Sequence, residues 1–175
     1  MNKEYYDCTS LSSVSLPSGV NSIGVSAFEG CSSLVSITIP ESITKIGGFA
    51  FCGCNALTSI TIPNGVIDYY AFSTCKSLVS VQIGYGVTSI GNAAFSFCEK
   101  LASVKIMGYP LIDELAFQNA AITECYCYTY SPPMFSANSF SEGIENNAIL
   151  YVPAEYCDLY TNSDWNNYFS IEAMQ

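Results

Sequence analysis

The 175 residues hold fifteen acids and five bases, for a net charge of −10, and half are apolar while only 11% are charged. That apolar content supplies a core for one domain and argues against disorder. All five bases are lysines, so the chain cannot assemble a Ser-His-Asp triad, a Cys-His pair, an HExxH zinc helix or an arginine phosphate clamp, and it has too few cations to bind nucleic acid.

The opening residues MNKEYYDC lack a basic stretch feeding an apolar one, which predicts a cytosolic chain or one whose signal has been removed. Tyr5-Tyr6-Asp7-Cys8 aligns with Phe28-Glu29-Gly30-Cys31, so the chain starts inside a repeat with only Met1 to Glu4 to cover that end. The expectation is that the natural protein extends upstream or that the boundary was trimmed. No apolar run reaches the 18 residues of a spanning helix, so no membrane insertion is expected in this segment. No N-x-S/T sequon is present.

From Cys8 onward the cysteines measure out a repeat: Cys8, Cys31, Cys54, Cys75 and Cys98 are spaced 23, 23, 21 and 23 residues apart. The shared pattern is C-x-x-L-x-x-[IV]-x-[IL]-P-x-x-[VI]-x-x-I-G-x-x-A-F-x-x. The alternating end of L-x-x-[IV]-x-[IL] predicts a short strand with one buried face, and successive copies should pair in parallel. Pro17, Pro40 and Pro63 should end that strand. Ile43 and Ile46 should point inward from a second wall, with Gly24, Gly47 and Gly91 allowing the bend that follows. Ala-Phe at 27–28, 50–51, 71–72, 94–95 and 116–117 predicts a short helical or 3₁₀ turn that drops a ring into the core, where the rings stack along the axis. The third unit is two residues short at NGVIDYYAF, and the fourth has Gly84 in place of the proline.

After Phe117 the register is lost. ECYCYTY reads as a strand stopped by Pro132-Pro133, Asn138 to Phe140 repeats the ring insertion, and Leu150 to Val152 forms another strand. Glu155 to Trp165 reads as a helix with Tyr156, Leu159 and Tyr160 on one face and Trp165 just beyond it. The expected organisation is a solenoid over residues 1–117 and an atypical repeat and cap over 118–175, within one continuous domain.

LVSITIPESITKIGGFAFCGC (Leu34 to Cys54) and LVSVQIGYGVTSIGNAAFSFC (Leu78 to Cys98) resemble the BspA-type leucine-rich repeats of bacterial and protozoan surface proteins. The Pro-Pro, LYVP and final Tyr and Trp resemble endings of such proteins from gut and oral anaerobes. The resemblance implies an α/β, β-rich, right-handed leucine-rich-repeat solenoid with parallel strands, short helical or 3₁₀ turns and an irregular C-terminal cap. It further implies a non-enzymatic module, at the cell surface or secreted, that recognises protein partners such as host extracellular matrix or another cell through the sheet face and flanking tyrosines. Two alternatives are a structural spacer in a longer surface protein and a glycan-binding module.

The candidate binding face consists of the outward strand positions Ser36, Thr38, Ser59, Thr61, Ser80, Gln82, Ser103 and Lys105, continuing the row begun by Ser13 and Ser15. This hydroxyl-rich stripe reads equally well as a solvated sheet face without a ligand. The nine cysteines read as small buried hydrophobes whose parallel Cβ vectors do not suit bridging; Cys52-Gly53-Cys54 and Cys125-Tyr126-Cys127 lack the C-x2-C geometry of zinc sites, so no metal or cofactor is expected. From Ile106 onward there are nine acids and no lysine, which reads as solubility of an exposed end or as attraction for a basic partner. Asp158 and Asp164 lack calcium-loop spacing, and Glu142 with Glu145 or Asp113 with Glu114 are nominal carboxylate pairs without a pocket signature.

Overall fold

The computed structural model describes residues 5–140, 144 and 148–175. Its strands are β1 (Ser13–Ser15), β2 (Ser22–Ile23), β3 (Ser36–Thr38), β4 (Lys45–Ile46), β5 (Ser59–Ile67), β6 (Ser80–Ile90), β7 (Ser103–Ile106), β8 (Leu111–Ile112), β9 (Glu124–Cys127), β10 (Ile149–Val152) and β11 (Ser170–Ala173). Every pairing among them is parallel. This is a β-solenoid with little helix, in which each coil lays equivalent residues over those of the coil before it.

Three walls enclose the core. The first carries the L-x-x-[IV]-x-[IL] strands, with the register Ser59, Ser80, Ser103, Glu124, Ile149, Ser170 running across β5, β6, β7, β9, β10 and β11. Alternate residues of each strand (Ile37, Ile60, Val81, Val104, Cys125, Leu150) are buried, as the period-two pattern requires. The second wall stacks Ile23, Ile46, Ile67, Ile90 and Ile112. Gly47 and Gly91 follow it for a reason other than bending: a Cβ on Gly47 would stand 2.7 Å from Val25 N, and one on Gly91 would stand 2.9 Å from Asp68 C. The coils touch backbone to backbone there.

The third wall differs from the expected helical or 3₁₀ turn. It is a chain of hydrogen-bonded turns, because two positions per coil take left-handed backbone angles that a right-handed helix cannot accommodate. One position is Ser26, Phe49, Tyr70, Ala93, Leu115 and Asn138; the other is Asp7, Gly30, Gly53, Thr74, Phe97 and Asn119. Between them the N–H groups of Phe28, Phe51, Phe72, Phe95 and Phe117 donate to the next coil, to carbonyls of Ala50, Ala71, Ala94, Ala116 and Ser139, at 2.7–2.8 Å. The ladder therefore continues around this wall too. The rings stack as the repeat predicts: Tyr5, Phe28, Phe51, Phe72, Phe95, Phe117 and Phe140 follow at centroid spacings of 5.0–5.5 Å with interplanar angles of 10° or less. Tyr5 occupies the place its alignment with Phe28 assigns.

The prolines do not all end the strand. β1 and β3 stop before Pro17 and Pro40, whereas β5 runs through Pro63 to Ile67, with register shifts between Ile62 and Asn64 and between Gly65 and Val66. The two-residue deletion in this unit leaves only four residues between Ile62 and Ile67, too few to loop out, and the bulge spares the N–H that proline lacks. Gly84 then belongs where it is, since a Cβ on it would lie 2.3 Å from Pro63 O.

All nine cysteines are free thiols, six of them buried. The repeat cysteines are more than fillers: Sγ of Cys54, Cys75 and Cys98 donates to the carbonyls of Phe28, Phe51 and Phe72 of the preceding coil at 3.2 Å, and Cys31 donates to Tyr5 O at 3.0 Å.

At the C-terminal end the expected single helix is broken into a 3₁₀ turn (Ala154–Tyr156), α1 (Cys157–Thr161) and a second 3₁₀ turn (Asp164–Asn167). Asn162 N–H and its side chain turn back onto Asp158 O, and Ser163 Oγ caps Trp165 N, which ends α1 before it reaches Trp165. Leu159, expected inward, is 53% exposed, while Tyr160 and Trp165 are buried. Trp165 Nε1 donates to Pro133 O at 2.8 Å, and the Tyr160 hydroxyl meets Thr129 Oγ1 at 2.5 Å and donates to Ser131 O at 3.2 Å. Both side chains lock the final segment onto the coil that carries β9. No helix among the described residues is long and apolar enough to cross a membrane.

Candidate functional site

Because side chains alternate along a strand, every strand of the first wall presents two outward positions. The structure places the eight candidate residues there. Ser36 and Thr38 lie on β3, Ser59 and Thr61 on β5, Ser80 and Gln82 on β6, and Ser103 and Lys105 on β7. Ser80 and Ser103 are half-buried and the other six exposed. The six from β5 to β7 line one depression of about 350 Å³, with Ile60 and Val81 beneath. Ser36 and Thr38 lie on the neighbouring strand and do not contribute to it.

The outward row does not stop at Lys105. The register pairs Thr61 with Gln82, Gln82 with Lys105, Lys105 with Tyr126, Tyr126 with Tyr151 and Tyr151 with Glu172. Hydroxyl and amide groups thus pass into aromatic rings and then a carboxylate along one line. Tyr126 and Tyr151 stack at 4.8 Å with planes 20° apart, and the Lys105 ammonium lies 5.5 Å from the Tyr126 centroid. The Tyr126 hydroxyl donates to the Glu124 carboxylate at 3.1 Å. Partial removal from water, and then that bond, hold the Tyr126 phenol above its ordinary pKa, so it stays a neutral donor. A second depression of about 470 Å³ is lined by Tyr126, Tyr128, Tyr151, Glu172 and the last three residues.

Flanking tyrosines are expected beside the sheet face, but the candidate set assigns none of them a position. The signal was present in ECYCYTY and ILYV, whose alternation aligns Tyr126 and Tyr151 with Gln82 and Lys105, but the loss of the cysteine register after Phe117 hid the correspondence. Of the nominal carboxylate pairs, Asp113 and Glu114 are exposed neighbours in a turn, with Asp113 Oδ1 accepting from Glu114 N. Glu142 and Glu145 lie outside the described residues. Asp158 and Asp164 are exposed at the ends of α1 and the following turn.

The pattern of the BspA type leucine rich repeat region matches residues 1–124 in 6 copies. The chain belongs to this family. Among solved structures, the leucine rich repeat protein of T. pallidum (TpLRR) is 27% identical, with a TM-score of 0.66 over 98% of this chain and 77% of that one. The pneumococcal vaccine antigen PcpA shares the fold at 20% identity and a TM-score of 0.72, covering 94% of this chain and 42% of its own. No curated protein matches. BspA-type membership makes the chain a repeat scaffold of the kind that presents an extended surface.

Proposed function

We propose that this BspA-type chain is a non-enzymatic recognition module, displayed at the cell surface or secreted, that binds a protein partner across the outward row of the first wall. The supporting observation is the continuity of that row, from Ser59 and Thr61 through Gln82 and Lys105 to the stacked Tyr126 and Tyr151. A plain solvated face has no reason to carry two stacked, partly exposed tyrosines, whereas protein-binding surfaces are enriched in this residue. Residues 118–175 act in this reading as the cap of the same domain, and they contribute the aromatic end of the surface. Host extracellular matrix proteins are the first partners to try.

The test is an array of matrix proteins and glycans probed with the full chain and with a Ser80→Lys, Gln82→Lys variant. Saturable binding to a protein spot that the variant loses supports the reading. Binding that the variant retains, or no binding at micromolar concentration, contradicts it and favours a spacer role in a longer protein.

A further inference from the structure

The depression beside the cap carries an inference about the partner's chemistry, and it rests on the recognition reading above. Tyr126 and Tyr151 offer a continuous stacked π-surface, with Tyr128 and Glu172 completing the lining around about 470 Å³ of space. Ring faces are electron-rich, so such a surface attracts cations. The chain's own Lys105 already holds its ammonium 5.5 Å from the Tyr126 centroid, which shows that this stack accepts a positive charge. Glu172, paired in register with Tyr151, supplies a counter-charge at the other end of the stack. The wider field has the same sign: nine acids and no lysine follow Ile106. A neutral sugar would stack on the rings and donate a hydroxyl to Glu172, but it gains nothing from the wider acidic field.

We propose that the depression lined by Tyr126, Tyr128, Tyr151 and Glu172 binds a cationic side chain from a basic segment of the partner protein. A guanidinium lies flat on the face of the half-buried Tyr151 ring turned away from Tyr126 and pairs with the Glu172 carboxylate, while the neighbouring hydroxyl row holds the partner's backbone. The acidic end then steers the encounter, so association is faster at low salt.

The experiment titrates the full chain with acetyl-Gly-Arg-Gly-Arg-Gly-amide, with the same peptide carrying citrulline for arginine, and with cellotetraose, following tyrosine ring resonances by NMR. The arginine peptide should saturate, weaken with added salt, and lose about 3- to 10-fold in affinity in Tyr151→Leu and in Glu172→Gln. Citrulline should abolish the response. Glu172 is exposed, so Glu172→Gln keeps the test valid if Tyr151→Leu disturbs the strand. Equal binding of the citrulline peptide, unchanged affinity in both variants, or ring shifts with cellotetraose alone would overturn the proposal. A partner protein that binds Tyr151→Leu and Glu172→Gln normally but fails on the Ser80→Lys, Gln82→Lys chain would overturn the cation site while leaving the recognition face standing.

Discussion

Gly53 sits at φ +74° with no atom closer than 3.8 Å to where a Cβ would stand, so Gly53→Ala isolates the backbone cost of the left-handed angle. Gly53→Ala is expected to lower stability by about 1 kcal/mol in urea unfolding. Gly47→Ala should cost more, because its Cβ would be driven to 2.7 Å from the Val25 N of the coil before. The thiols make a pH prediction. Burial raises the pKa of Cys54 and Cys127, and at Cys75 a hydrogen bond with Cys98 together with burial does the same. The unfolded chain releases these protons above about pH 8.5 while the folded chain keeps them, so the unfolded state binds fewer protons and stability falls as pH rises. The loss reaches about 1.4 kcal/mol per pH unit for each fully buried thiol. The urea midpoint should therefore drop between pH 8 and 10.5 and hold between pH 6 and 8; a flat midpoint up to pH 10.5 contradicts the buried thiol ladder.

Between single residues and the whole lies the coil, and its stability comes from registered copies of the same contact. Phe72 is fully buried and stacks on Phe51 at 5.0 Å and on Phe95 at 5.1 Å, so Phe72→Ala removes contacts from three coils at once. The expected loss is about 3–5 kcal/mol by calorimetry or urea unfolding, with Phe72→Leu costing clearly less. The strand row, the inward isoleucines and the ring stack were all legible in the sequence, because each depends on one side chain recurring at a fixed spacing. The third wall was not: one of its two left-handed positions carries Asp7, Gly30, Gly53 and Asn119, types that favour such an angle, but the other falls on Ser26, Phe49, Tyr70, Ala93 and Leu115, which do not announce it. Pro63 was misleading because a short loop forced the strand through it, and Leu159 because α1 ends too soon for a helical face to develop. In the C-terminal segment the single proton of the Tyr160 hydroxyl is shared among Thr129 O, Ser131 O and Thr129 Oγ1, and Thr129 Oγ1 also reaches Ser131 O, so Tyr160→Phe removes one buried hydrogen bond and should cost about 1 kcal/mol.

For the whole molecule, repetition has two consequences. It lets each coil bury the face of its neighbour, and it turns one outward strand position into a line of side chains across the sheet. The polar part of that line, Thr61 to Lys105, could be read from the repeat itself; the aromatic part, Tyr126 and Tyr151, required the coordinates, because parallel pairing persists through β9, β10 and β11 after the sequence pattern has dissolved. The charge distribution follows the same direction, with the lysines confined to the first 105 residues and nine acids beyond Ile106. The measurement that tests the account most directly is a lysine scan, using a protein partner captured on the array. Lysine is placed singly at Thr61, Gln82 and Tyr151 on the row, and at Phe97, exposed on the turn wall, as the control. Weakening of about tenfold or more at the three row positions with Phe97→Lys unchanged is the predicted result. Equal loss at Phe97, or no loss along the row, would place recognition elsewhere on the solenoid.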